Sequence, residues 1–291
     1  TLADGIAEEL SREFCLSCQG KDFPFPRYFF DKVFIYGGES ETFFGGGTLK
    51  KPFKVVIPAM IPERFPSDSS DIQEFNEETE YEQDIQDFIK ETTYNYLIHT
   101  LHEFSREYCQ INAEIHQTPN RFYDSERASD SIVATGHYPL SRLEQTVLET
   151  ELFLTDHETT KKYPFLGEDV KINACRISDK TEFTFACSFI SRHIKNKEDY
   201  HEKKKTLENE IKKYISKTYG GDFKIAINPD DSKEIYLSFL GSCVDSFGVG
   251  AAGKGNDISG VSSLFRPTTP EGVYGKNIVR HPGRIYNIFS Y

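Results

Sequence analysis

The sequence predicts an α+β fold made of small sheets, each covered on one face by helices. Three observations carry this. Pairs of extended segments alternate with single helical segments. Helical stretches place apolar residues at 3.6-residue spacing, whereas extended stretches are short and bounded by Gly and Pro. Finally, 37% hydrophobic residues in a chain of 291 supply ample core for one large domain or several small ones.

The elements follow in order. Leu2, Ile6, Leu10 and Phe14 recur at helical spacing and predict a helix to about Cys15. Extended segments are expected at Tyr28–Tyr36 and Lys51–Pro58, separated by Gly37-Gly38 and Gly45-Gly46-Gly47. A long helix is expected at Tyr81–Arg106, with Ile85, Phe88, Ile89, Leu97, Leu101 and Phe104 towards a core. Cys109–His116 reads as a strand, Thr118–Ser129 as a polar loop, and Ser131–Tyr138 as a strand stopped by Pro139. Ser141-Arg142-Leu143-Glu144 is a capping box, in which a hydroxyl and a carboxylate satisfy free backbone N–H groups, and it opens a helix through Leu154. Asp169–Ile177 and Thr181–Ile190 form an expected hairpin, followed by a basic helix at Lys197–Thr218. A second hairpin is expected from Asp222–Asn228 and Lys233–Leu240, turning at Pro229-Asp230-Asp231.

Composition excludes several classes. No run of about 18 apolar residues is present, so no membrane-spanning helix is expected, and no basic, apolar leader is visible. Six scattered cysteines without a disulfide framework predict a reducing, cytoplasmic setting. The net charge of −12 argues against a nucleic-acid partner, which needs a basic face. That charge is uneven: Glu63 to Glu91 holds eleven acidic residues against Arg64 and Lys90. From Ser242 onward five basic residues face three acidic ones, and this glycine-rich stretch suits a small polyanion such as a nucleotide.

Some motifs tempt and fail. Gly248-Val-Gly250-Ala-Ala-Gly253 matches a dinucleotide fingerprint, but Lys254-Gly255-Asn256-Asp257 is a poor helix start and only 38 residues follow Gly253. A phosphate-binding loop would need Ser or Thr where Gly255 stands. What remains is a glycine-rich loop whose N–H groups and Lys254 can approach phosphate oxygens. Cys15-x-x-Cys18 lacks a second ligand pair for zinc, His99 and His102 read as surface residues on a helix, and Lys203-Lys204-Lys205 as a solvated helix face.

A series of blocks is more specific. Leu2-Ala3-Asp4-Gly5-Ile6-Ala7-Glu8, Phe44-Gly45-Gly46-Gly47, Pro139-Leu140-Ser141, Leu148-Glu149-Thr150-Glu151 and Gly167-Glu168-Asp169-Val170-Lys171 are followed by Gly253-Lys254-Gly255-Asn256, Tyr274-Gly275-Lys276-Asn277 and Gly283-Arg284-Ile285-Tyr286-Asn287. In this order, across nearly the whole chain, they resemble the archaeal-type branch of methionine adenosyltransferase (S-adenosylmethionine synthetase). The resemblance implies three similar sheet-plus-helix domains around a pseudo-threefold axis, the last incomplete, and active sites at a homodimer interface. The implied boundaries are 1–116, 137–240, and 120–136 with 241–284, leaving 285–291 as the start of a further segment. The implied reaction is attack of methionine sulfur on ATP C5′, then cleavage of the tripolyphosphate to pyrophosphate and phosphate, with Mg²⁺ and K⁺ assisting.

Carried over residue by residue, the resemblance makes Lys171 and Lys276 phosphate-binding lysines, with Lys254 replacing an arginine in the glycine-rich loop. Asp169 matches an acidic residue of the nucleoside and methionine site, and Asp130 one near the reacting sulfur. Asp31 matches a position associated with the monovalent cation, and Asp4 is a further metal candidate. Arg280 and His281 lie where the family places polar or basic groups. Departures accompany these matches. The family's Gly-His-Pro-Asp motif is expected just before Thr1, and its Gly-Gln-Gly-Ser loop is not recognisable around Glu114–Arg127. Thr48 stands in place of a Glu that holds the methionine amine, and Phe247-Gly248-Val249-Gly250 replaces Gly-Asp-Asp-Gly. The expectation is therefore a divergent enzyme that makes S-adenosylmethionine from ATP and methionine. The alternative is a catalytically weak homologue that binds nucleotide as a regulatory subunit, or one using another thioether.

Overall fold

The computed structural model describes residues 2–18, 28–30, 32–62, 77–118, 139–232, 235–246 and 248–252. Within them the chain is α+β and forms two hydrophobic cores. No described helix is long and apolar enough to cross a membrane.

The first unit opens with α1 (Leu2–Cys18), three residues longer than expected, which buries Ala3, Ile6, Ala7, Leu10 and Phe14 along one stripe. Strands β1 (Phe34–Tyr36) and β4 (Phe53–Pro62) pair antiparallel, and a hairpin of β2 (Glu39–Phe43) and β3 (Gly46–Lys51) is inserted between them. Helix α2 (Glu77–Thr100) then crosses over to β5 (Cys109–Thr118), which lies parallel to β4. This helix stops six residues short of the expected Arg106. The Leu101 N–H donates the last helical bond, to the Leu97 carbonyl at 2.8 Å, but the next backbone N–H, that of His102, donates to Glu168 Oε1 at 2.9 Å in the second unit.

The second unit repeats the plan. Helix α3 (Arg142–Thr155) carries the expected capping box between Ser141 and Glu144, and the short α4 (His157–Lys162) follows. Strands β6 (Leu166–Ile177) and β7 (Lys180–Ile190) form the expected hairpin. Helix α5 spans Lys197–Thr218, as its periodicity predicts, and buries Tyr200, Leu207, Ile211 and Ile215. Lys203 and Lys204 do not form a solvated face. Lys203 pairs with Asp199 at 2.6 Å and bonds the His193 carbonyl, while Lys204 reaches Asp231 at 2.5 Å; of the run only Lys205 is exposed.

The second expected hairpin is not one. Strands β8 (Phe223–Ile227) and β9 (Leu237–Ser238) both run parallel to β7, end to end along the same edge. β8 pairs with Thr181–Phe185 and β9 with Phe189–Ile190, so Cys187 faces the gap between them. Asn228 fills that gap. Its backbone turns away at φ 42°, while its side-chain oxygen accepts from Cys187 N at 2.8 Å and its amide nitrogen donates to Cys187 O at 3.0 Å. A side chain thus replaces a strand residue in the ladder.

The chain then returns to the first unit. Phe239, Leu240 and Val244 join the first core, and β10 (Val249–Ala251), placed by the resemblance in a third unit, pairs antiparallel with β1. The first sheet has the order β10-β1-β4-β5. The expected strand at Ser131–Tyr138 and loop at Thr118–Ser129 fall outside the described residues, apart from Thr118 at the end of β5.

Asn228→Ala should strand the N–H and C=O of the fully buried Cys187 and lower stability by about 3 kcal/mol, the combined cost of two unpaired buried groups. Asn228→Asp, which keeps only the acceptor, should fall between the two. Denaturant unfolding of the three proteins measures the order.

Candidate functional site

The two units meet along a seam built from three glycine-containing segments. At the tip of the β2–β3 hairpin, Gly45 takes φ 85° and its N–H donates to the carbonyls of Ser191 (3.1 Å) and Ile194 (2.6 Å) in the second unit. Gly47 follows, and a Cβ there would stand 3.0 Å from the Phe239 ring and from the Glu41 carbonyl.

The second segment is a bulge in β6. Leu166 pairs with Phe189 and Val170 with Cys187, so Gly167, Glu168 and Asp169 occupy the space opposite Ser188. Space is the reason for the glycine: a Cβ on Gly167 would lie 2.3 Å from the Gly241 carbonyl oxygen and 2.4 Å from its Cα. Gly241 belongs to the third segment and has φ 75°. Its carbonyl accepts from Asp169 N at 3.0 Å, and its own N–H donates to Ser238 Oγ at 3.1 Å.

These segments set the side chains. Asp169 is nearly buried and lies 3.5 Å from Lys171 Nζ, which is exposed on the sheet face opposite the helices. Behind them sits Asp245, 1% exposed, whose Oδ2 accepts from Leu240 N at 2.5 Å while Oδ1 has no partner in hydrogen-bonding geometry. Burial pushes the Asp245 carboxyl above the usual range, the neighbouring Asp169 charge adds to this, and N–H groups of Leu240 and Phe239 with the Ser40 hydroxyl oppose it. Loss of water around the Tyr236 phenol, with Asp169, Cys243 and Asp245 nearby, drives it upward against a hydrogen bond from Ser188, although the residue as a whole is partly exposed. The Cys187 thiol is pushed up to about 12 by burial and by Asp169, so it is inert. Ser188 and Ser238 share a hydrogen bond beneath this group. The arrangement places carboxylates within the seam and an ammonium at its exposed edge.

Of the sequence-derived candidates, Asp169 and Lys171 are brought together here. Asp4 is buried on α1, where its charge acts on Glu8 and Tyr96. Lys276, Asp130, Lys254, Arg280, His281 and Asp31 lie outside the described residues. Among the described residues, no three His, Cys, Asp or Glu side chains converge as a metal cluster. Cys15 approaches the Tyr28 hydroxyl at 3.0 Å.

The geometry groups the Gly45–Gly47 and Gly167–Lys171 blocks, which lie far apart in sequence. The family model described as S-adenosylmethionine synthetase (AdoMet synthetase) matches residues 1–291. The chain belongs to the S-adenosylmethionine synthetase family. Within that family it is 27% identical over 295 residues to a probable S-adenosylmethionine synthase of Aquifex aeolicus, covering all of this chain and 73% of that protein. To the S-adenosylmethionine synthase of Methanosphaera stadtmanae it is 28% identical over 307 residues, again covering all of this chain and 73% of the relative. The Aeropyrum pernix synthase is 35% identical over 169 residues, 56% of this chain and 41% of its own length.

Sequence reasoning missed three synthetase residues at the seam. His102 was expected on a helix surface beside His99. His99 does bond its own helix at Asn95 O, but His102 lies past the helix end and its Nδ1 bonds Glu168, 66 positions away. Glu103 and Tyr236 carried no local signal at all. Gly167→Ala should force β6 away from Gly241, lower the melting temperature and weaken nucleotide binding together. Thermal unfolding and calorimetric ATP titration of the variant test that coupling.

Proposed function

We propose that the chain transfers the adenosyl group of ATP to methionine sulfur, forming S-adenosylmethionine with pyrophosphate and phosphate. The observation that carries this is the seam itself, where Gly45–Gly47, the Gly167–Lys171 bulge and the Gly241–Asp245 segment converge with one lysine at the rim and carboxylates behind it.

The chemistry asks for that polarity. A thioether lone pair attacks C5′, the new bond is S–C, and the C5′–O electron pair leaves with the tripolyphosphate. No base is needed. Charge separates, so cations must stand ready along the phosphates and anions near the sulfonium. In this reading Lys171, with Lys276 and Lys254, takes the phosphate side, assisted by Arg280 and His281. Asp169 and Asp130 take the nucleoside and sulfur side. One or two carboxylates of the protein would suffice for Mg²⁺ brought in with the phosphates, since that ion keeps several waters, and it would supply charge neutralisation there. Asp31 and Asp4 are the candidates for holding a cation, K⁺ included. The reading also includes a third unit from 120–136 with 241–284, its opening stretch shared with the first unit through β10, a pseudo-threefold arrangement and a homodimer. A cytoplasmic location agrees with the free Cys15, Cys109, Cys175, Cys187 and Cys243.

The second reading, a weak nucleotide-binding homologue, is favoured by Thr48. It is exposed on β3, directly across from Glu41, whose carboxylate is already held 2.7 Å from Lys50 Nζ. Asp245, a further carboxylate near this hairpin through Ser40, is buried and accepts from the Leu240 N–H.

Two measurements separate these readings. Lys171→Ala should cut formation of S-adenosylmethionine by about two to three orders of magnitude, as loss of one charged transition-state stabiliser does. Undiminished turnover removes Lys171 from the mechanism. Thr48→Glu, read by calorimetric methionine titration, should tighten binding about ten- to a hundredfold if an ammonium partner is what the site lacks. Tight binding by the unmodified protein would show that another group holds the ammonium.

A further inference from the structure

The turn after α2 reaches across the seam with two consecutive side chains. His102 donates to Glu168 Oε1 twice, from its backbone N–H at 2.9 Å and from ring Nδ1. Glu103 Oε2 and Oε1 accept from Arg192 Nη1 at 2.6 Å and from His193 Nε2 at 2.9 Å. The grip therefore holds both the β6 bulge and the turn that follows β7. Glu168 has no other described anchor: its Oε2 is buried without a partner, facing the position where a Gly241 Cβ would stand 3.0 Å away. It is also the residue immediately before Asp169, whose N–H is fixed by Gly241.

We propose that His102 is a positioning residue: by holding Glu168 across the seam it fixes the bulge and so determines where Asp169 and Lys171 stand. The proposal rests on the reading that Asp169 and Lys171 face the substrates. It gives His102 no contact with them.

The charges around the ring favour the imidazolium. The Glu168 hydrogen bond raises His102 above the ordinary 6.5, burial opposes it, and the charges of Glu168 and Glu103 with a bond to the Pro164 carbonyl add to the rise. The other ionisable groups at the turn are Arg192 and the His193 imidazole after β7, both bonded to Glu103. Because the folded value is raised, the grip is complete below the unfolded value and loosens as pH rises through the folded one. A neutral ring keeps one donor but loses its charge.

The test uses the full chain. An NMR titration of the His102 ring gives its midpoint, and kcat/KM for ATP and the calorimetric ATP affinity are then followed across it. Both should decline on the alkaline side of that midpoint in the wild type. In His102→Asn, whose amide places a donor where Nδ1 stands but does not titrate, the decline should vanish while most activity remains. His102→Ala should lose about tenfold or more in kcat/KM at every pH, as expected for a lost bond to a charged group. An alkaline limb that persists unchanged in His102→Asn, or full activity in a folded His102→Ala, overturns the proposal. If Ala prevents folding, the Asn profile decides alone. Should the wild type bind ATP with this pH dependence yet make no S-adenosylmethionine, the functional reading falls and the positioning role stands. Absence of ATP binding overturns both.

Discussion

The approach of Gly167 to Gly241 sets the distance on which the rest of the seam depends. Two backbones pass so closely that either Cβ would collide, and one of them also needs a left-handed conformation. With that distance fixed, Asp169 N can reach the Gly241 carbonyl, Ser238 Oγ can cap Gly241, and Asp245 comes to lie under Leu240. The glycine tip of the first hairpin follows the same rule on the other side, donating one N–H to two carbonyls of the second unit. Small residues here are spacers that let main chain meet main chain, and the polar side chains occupy what space remains.

The burial of β7 records the consequence. Along most of its length Phe183 and Phe185 face the helices while Glu182 and Ala186 are open. From Ser188 onward both faces are buried, because the first unit covers the second one there. Strand patterning alone would read this end as simply more hydrophobic, yet Ser188 and Ser238 are polar and paired. Burying hydroxyls without partners would be costly, and each is the other's partner. The candidate site therefore lies at the transition from a one-sided sheet to a two-sided one.

How much of this the sequence made legible depends on range. Helix α5 and the β6–β7 hairpin are local, and their periodicities and turn predict them well, α5 to the residue and β6 except for its first three residues. The capping box at Ser141 and Glu144 is local too, and both of its bonds form. The end of α2 was not legible, because what competes for the His102 N–H is a carboxylate 66 positions later. The second hairpin failed for a similar reason: Asn228 looks like a turn residue and does turn the chain, but its side chain belongs to the β7 ladder. Asp169 and Lys171 were found through a resemblance in their block. Glu103 and Tyr236 are recognisable only once the two units are set against each other.

Strand β10 has a meaning for the life of the chain. Ile35 lies opposite Gly250, so an inner strand of the first sheet acquires one of its two neighbours only after the whole second unit has been synthesised. Until then β1 is an open edge, the kind of template that captures stray strands. The segment that shields it arrives only after the second unit, which ties safe emergence from the ribosome to completion of that neighbouring unit. It follows that the two cores, although distinct, are not separable modules: a cut after Leu240 would release a second unit and leave the first with its edge bare.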